Sequence, residues 1–353
     1  MKIKLALLDN DANYLNRLVV AFNTKYSDKF ELYSFTDAEY AIQNVSSSKI
    51  DVFVAGTDLN INVARLPERC CFAYFTPDSS VEEINGFAAI GKFQKIDLIY
   101  RQILGLYAEK AGNWSSHRVD DGSSKMIVFS SPCGGAGTST IAAACAKHFA
   151  LLGKKVLYLN FEKYGCSDSF FTAAGQFDLS DIIFALKSKK ANLSLKLESY
   201  VKQDVSGVYY YSHPKLVLDM LELSFEDMSR VITEVKLSGQ YEYIILDMDF
   251  SLNKTALDLY DAFNYIVWCS DGSDTNNSKI VRAYNAFSII EQNDDYQIAD
   301  RIRLIYNKHN NVSKSVAEDK IKSIGAIPFS EHSTYADLLN KCAHLDLYDK
   351  LLK

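Results

Sequence analysis

Short apolar runs rich in β-branched and aromatic residues alternate along this chain with stretches whose apolar positions recur at helical spacing. Before residue 109 the pattern predicts strands at 3–8, 30–35, 51–55 and 70–75, with a weaker one at 87–90. Helices are predicted between and after them at 13–26, 37–45 and 97–107, the second opening on Asp37 as its N-cap. Residues 109–125 are polar, rich in Ser, Gly and Asp, and lack periodicity, so they read as a linker. The alternation then resumes on a larger scale. Strands are predicted at 126–130, 155–160, 208–212, 242–247, 264–269, 302–306 and 324–327, and helices at 139–152, 179–188, 225–238, 275–292 and 334–352. The expected fold class is α/β, as two doubly wound parallel-sheet domains over 1–108 and 126–353.

Composition narrows the picture only a little. The 353 residues suffice for two cores, and a formal charge of −6 argues against a dedicated nucleic-acid binder. Lys187, Lys189 and Lys190 form the best basic cluster and read as a solvated helix end. Seven cysteines without a CxxC pair read as reduced thiols in a cytosolic protein, and six scattered histidines offer no zinc spacing. The opening strand argues against a signal peptide, and no apolar run is long enough to cross a bilayer. The C-terminal leucines share their segment with Asp337, Asp346 and Asp349, which favours core packing over membrane seeking.

Ser131 to Thr140 carries the chemistry. It reads Ser-Pro-Cys-Gly-Gly-Ala-Gly-Thr-Ser-Thr, between an apolar strand and an apolar helix. Strand, glycine loop and helix together make a phosphate cradle: glycines let the backbone wrap an anion, and the amides from Gly137 to Thr140 face it along the helix dipole. Yet both lysines expected in such a loop are missing, with Cys133 and Thr138 in their places, while Ser139 keeps the hydroxyl that serves magnesium. A lysine at about 4 Å from a phosphate charge is worth roughly 4 kcal/mol at an effective dielectric near 20. Its loss should weaken binding, and slow phosphoryl transfer more. Cys133 reads either as a thiol activated by loop amides or as an inert substitution; we favour the second. Tyr243 to Asp247 is an apolar strand ending in an acid suited to a magnesium shell, and Asp249 follows two residues on.

Residues 1–108 resemble the receiver domain of response regulators. Asp9, Asn10 and Asp11 follow the first strand, Thr76 the fourth, and Lys92 stands at the end of the fifth. The third strand runs into Gly56 where the family has its phospho-accepting aspartate, and Asp58 lies two positions on, out of register. Asp9, Asp11, Thr76 and Lys92 are either a surviving magnesium and phosphate pocket or residues left from ancestry. The missing nucleophile favours ancestry, with the domain serving as an interaction module.

The second half is similar to the MinD and ParA group of ATPases, whose loop reads Lys-Gly-Gly-x-Gly-Lys-Thr-Thr. By that resemblance the nucleotide would lie on Cys133, Gly134, Gly135, Ala136, Gly137, Thr138, Ser139 and Thr140, with magnesium on Ser139 and, through water, Asp247. Glu162 would orient the attacking water, though Asn160 replaces a neighbouring acid of that group. Asn307, Pro328 and Phe329 would form the base pocket. A pseudo-receiver before a MinD-like domain with a degraded loop resembles the TadZ (CpaE-like) family of pilus assembly proteins. The resemblance implies an ATP- and Mg2+-binding homodimer, cytoplasmic at the cell pole on the inner face of the membrane. There it would help place the Tad/Flp (type IVb) pilus secretion machinery, docking partners through its receiver-like domain, with no specific nucleic acid and weak or absent hydrolysis. The alternative is an active MinD/ParA-like ATPase cycling on a membrane or on DNA; a two-component regulator with an inert output domain is a third reading, disfavoured by Gly56.

Overall fold

A computed structural model describes residues 2–67, 69–110, 124–188, 193–293, 296–316, 321–330 and 334–352. In chain order the first elements are β1 (Ile3–Leu8), α1 (Ala12–Lys25), β2 (Phe30–Phe35), α2 (Ala38–Ser47), β3 (Val52–Gly56), β4 (Cys71–Thr76), β5 (Glu83–Ile84), β6 (Phe87–Gly91) and α3 (Ile96–Lys110). There follow β7 (Lys125–Phe129), α4 (Thr138–Leu151), β8 (Val156–Asn160), α5 (Leu179–Ser188), α6 (Leu193–Tyr200), β9 (Lys202–Gln203), β10 (Tyr209–Tyr210), α7 (Val217–Leu221) and α8 (Phe225–Leu237). The chain continues through β11 (Tyr243–Asp247), α9 (Lys254–Asp261), β12 (Tyr265–Ser270), α10 (Asp274–Asn293), β13 (Ile302–His309), β14 (Lys322–Pro328) and α11 (Tyr335–Ala343). Most of the expected linker, 111–123, lies outside the described residues.

The chain divides into two compact units, and the first takes in the described residues of Met1–Trp114 and Ser188–Tyr200. Its sheet runs β2-β1-β3-β4-β6-β5, parallel except for the short β5, and the five parallel strands have the 2-1-3-4-5 order of flavodoxin-like folds. Alternation sends Leu5 and Leu7 to one face and Ala6 and Leu8 to the other. The first face packs on α1 and α3 through Leu15, Phe22, Ile99 and Ile103. Asp11 and Asp37 cap α1 and α2, accepting backbone amide hydrogens within the first turn.

One element of this unit comes from far along the chain. Leu195 of α6 belongs to the first core, and Glu198 accepts the Tyr100 hydroxyl at 2.5 Å and pairs with Lys29 at 3.2 Å. Sequence periodicity did not predict this helix.

The second unit, built from the described residues of Ser115–Lys187 and Val201–Lys353, has an eight-stranded sheet ordered β14-β13-β12-β7-β11-β8-β10-β9. All pairs are parallel except β9 with β10, so the expected parallel sheet has one antiparallel edge. β7, Met126 to Phe129, is buried and sits between β11 and β12. The predicted helix at 334–352 breaks into α11 and a 3-10 turn at Asp346–Leu351, whose Tyr348 and Leu351 are buried in the core. No described helix is long and apolar enough to cross a membrane.

Candidate functional site

The loop from β7 to α4 adopts the cradle its glycines imply. Gly135 and Gly137 have φ of +72° and +83°, left-handed values that a side chain would strain, and Gly137 is the N-cap of α4. Nothing lies within 4 Å of where a side chain would start at Gly134 or Gly135, so that side of the loop is open. A side chain on Gly137 would instead run into the amide of Asn307. The loop borders a cavity of about 320 Å³ with Ser131, Cys133, Gly134, Gly135, Gly137, Thr138, Ser139, Thr140, Glu162, Met248, Asp249 and Phe250 around it.

At the cavity floor Ser139 Oγ donates to Glu162 Oε2 at 2.9 Å. Asp247 closes β11 fully buried, and one of its oxygens accepts the Tyr158 hydroxyl at 2.8 Å. Its other oxygen, Oδ1, is buried with no protein partner. Burial, and then the charge of Glu162, push the Asp247 carboxyl well above the usual range, opposed by the hydroxyls of Tyr158 and Ser139. An unpaired buried carboxylate oxygen beside a serine hydroxyl is the donor chemistry of a hydrated magnesium ion, so Ser139 and Asp247 fit that group. Asn160 joins the acids: its Nδ2 donates at 3.2 Å to Tyr158 Oη and lies 3.4 Å from both Glu162 Oε2 and Asp247 Oδ2. Asp249 is engaged elsewhere, accepting the Lys163 amide at 3.1 Å.

Cys133 and Thr138 bring no charge to the loop. Cys133 is buried, its Sγ 3.4 Å from the Asn276 carbonyl, and burial raises its thiol to about 11. It therefore stays protonated near neutrality, in line with inert substitution. Thr138 interacts with Cys269, and Thr140 Oγ1 lies 3.2 Å from Tyr335 Oη. Asn307 Nδ2 donates to the Ala136 carbonyl at 2.8 Å, so its amide supports the loop rather than standing free for a base. Pro328 faces His309 across β13 and β14, and Phe329 is 54% exposed; neither borders the cavity.

The corresponding corner of the first unit is closed. Asp9 is buried at the end of β1 and forms a 2.5 Å ion pair with Lys92. A side chain on Gly56 would start 2.6 Å from Asp58 Oδ1 and 3.2 Å from Asp9 Oδ2. Asp58 thus hangs its carboxylate over the glycine, held by Asn10 Nδ2 at 2.7 Å, although it is displaced two positions in sequence. No group of three or more potential metal ligands occurs among the described residues. Thr76 is buried and Asp11 is spent as the cap of α1.

A family model described as TadZ-like, receiver domain, matches residues 1–108. Residues 1–108 are a TadZ-like receiver domain. Comparison with curated proteins returns no match. Among solved structures, a ParA family ATPase from Chlorobium tepidum is similar at 20% identity, covering 63% of this chain and 99% of its own, with a TM-score of 0.48. MinD in the MinC:MinD cell division complex of Aquifex aeolicus is similar at 18% identity over 65% of this chain and 96% of its own, TM-score 0.47. The septum site-determining protein MinD of Pyrococcus horikoshii, complexed with Mg-ADP, is similar at 16% identity over 65% and 97%, TM-score 0.48.

In the TadZ-like receiver domain the sequence reading located Asp9, Thr76 and Lys92 at the strand ends, where the structure has them. In the second unit it anticipated the loop, Ser139, Glu162 and Asp247, which the structure brings together. It missed Tyr158. The signal was a tyrosine inside an otherwise aliphatic strand, whose hydroxyl must find a buried acceptor.

Proposed function

We propose that this chain is an ATP-binding, dimeric positional scaffold that helps place and assemble a Tad/Flp pilus secretion system. Hydrolysis is weak or absent. The observation that carries the reading is a contrast around one loop: Ser139 and Glu162 line the cavity and one oxygen of buried Asp247 has no protein partner, while buried Cys133 and half-buried Thr138 stand where the similar loop has lysines. Backbone dipoles from Gly137 to Thr140 and the α4 N-terminus supply attraction for a triphosphate. Magnesium, held by Ser139 and through water by Asp247, would neutralise part of the phosphate charge when bound. Tyr158 and Asn160 orient the carboxylates. Without lysines, little positive charge meets the charge that spreads over the phosphoryl oxygens in the transition state, so turnover is slow.

Nucleotide in this role is a ligand that favours one assembly state of the chain. Two copies associate across it, and the TadZ-like receiver domain, which lacks a nucleophile at Gly56, offers a docking surface for pilus machinery at the cytoplasmic pole of the inner membrane. No specific nucleic acid is bound. Light scattering of the full chain with and without Mg-ATP tests this reading: a doubling of mass with nucleotide is expected. An unchanged monomer mass together with no heat of binding would contradict it.

The second reading is a MinD/ParA-like ATPase cycling on a membrane or on DNA. It is favoured by Glu162, a carboxylate retained within hydrogen-bond distance of Ser139. Phosphate release above roughly a few per minute, abolished by Glu162→Ala, would support it over the scaffold.

A further inference from the structure

We propose that α7 and the adjoining face of α5 form a docking surface for a basic amphipathic helix of a partner protein. The inference goes beyond the nucleotide reading above and does not depend on it. Residues 215–222 read Lys-Leu-Val-Leu-Asp-Met-Leu-Glu, apolar enough for a core element. A surface helix ordinarily turns such side chains inward. Of the five apolar residues in this stretch Met220 alone is buried, while Leu216, Leu218 and Leu221 are 64%, 69% and 54% exposed and Val217 is exposed beside them.

The patch extends onto α5. Ser180, in its first turn, donates to Asp219 Oδ2 at 2.6 Å and so holds α5 against α7. One turn farther along the same face stands Phe184, 71% exposed on a helix whose Ile182, Ile183, Ala185 and Leu186 are buried. Five large apolar side chains exposed on two touching elements differ from the scattered single residues of an ordinary surface. None of them borders the loop cavity.

The surrounding charges select the occupant. Between 214 and 229 Lys215 is the one cation, against Asp219, Glu222, Glu226 and Asp227. Asp178 and Asp181 add two carboxylates at the start of α5, and Lys187 near its end is paired with Asp227 at 2.7 Å. Such a rim repels an anionic membrane surface. A second copy seated patch to patch would set acids against acids, because a two-fold interface joins the same surface of both copies. A helix with an apolar stripe flanked by lysine or arginine meets neither penalty: its stripe covers the leucines and Phe184, and its cations face the acidic rim.

The test uses the full chain and a synthetic amphipathic peptide with leucine on one helical face and lysine on the other, read by titration calorimetry. The peptide should bind, and its counterpart with glutamate in place of lysine should bind at least about tenfold more weakly. Leu218→Ser with Leu221→Ser should lose at least about tenfold, and Glu222→Lys with Glu226→Lys about fivefold or more. Val20→Ser, at an exposed apolar residue of α1, should change binding by less than about twofold. No binding by the wild-type chain at millimolar peptide, or binding by the serine pair within about twofold of wild type, would overturn the inference. Sedimentation with phosphatidylserine vesicles that the serine pair abolishes would overturn it in favour of a membrane. A wild-type dimer in light scattering that the serine pair dissolves would overturn it in favour of a second copy. Melting curves report whether each variant is folded, and the charge-reversal pair decides the matter if the serine pair is not.

Discussion

Two strand-end corners of this chain, one in each unit, hold a buried carboxylate, and they treat it differently. At the end of β3 the space over Gly56 is filled: Asp58 leans over the glycine and Lys92 neutralises Asp9. Between β7 and α4 the loop with Cys133 and Thr138 borders a cavity of about 320 Å³, and nearby Asp247 has a carboxylate oxygen with no protein partner. The two buried acids differ in what they meet: Asp9 Oδ2 has the Lys92 ammonium beside it, whereas Asp247 Oδ1 has no protein hydrogen-bond partner and feels the charge of Glu162.

Three substitutions break or sharpen that contrast. Gly137→Val should have the largest effect, because a side chain at φ +83° is strained and meets Asn307. We expect loss of Mg-ATP binding by at least about a hundredfold, read by calorimetry, with about 1–3 kcal/mol of destabilisation. Lys92→Ala should leave the Asp9 carboxylate buried and unpaired, and so lower the stability of the first unit by about 3 kcal/mol. Hydrogen exchange of β1 and β3 would report it. An unaffected β1 would mean that the receiver corner is hydrated and open, and the comparison would fail.

Asp247→Asn should have the smallest effect, with the opposite sign. Burial raises the folded-state pKa of Asp247 above its unfolded value. Its contribution to stability is therefore fully present below the unfolded value, near about 4, and is lost as pH rises through the folded one. Without magnesium and nucleotide, the asparagine variant should be more stable than wild type by about 1–3 kcal/mol above neutral pH, with a shallower decline as pH rises. Melts across pH measure this directly; a less stable variant at high pH would show that Asp247 is satisfied within the protein.

Much of this was legible from residue order. Glycines between an apolar strand and an apolar helix predicted the loop from β7 to α4, and the apolar run closing in Asp247 predicted β11, because both are local patterns. What depended on tertiary partners was not. Leu193, Leu195 and Leu197 alternate with period two, the pattern of a strand, yet they form α6, where Leu195, Lys196 and Leu197 are all buried and no helical stripe is needed. Asp58 was read as out of register, and only the three-dimensional course of the loop returns its carboxylate to Gly56. Asn307 was readable as a site residue by resemblance, but its bond to the Ala136 carbonyl depends on tertiary placement and left no trace in periodicity.

On the proposed reading the loop grips a nucleotide without consuming it. Incubating the full chain with Mg-ATP for an hour, removing free nucleotide and identifying what stays bound tests both halves at once. The account predicts intact ATP, about one per chain. Recovery of ADP with stoichiometric or greater phosphate release, or of no nucleotide at all, would contradict it.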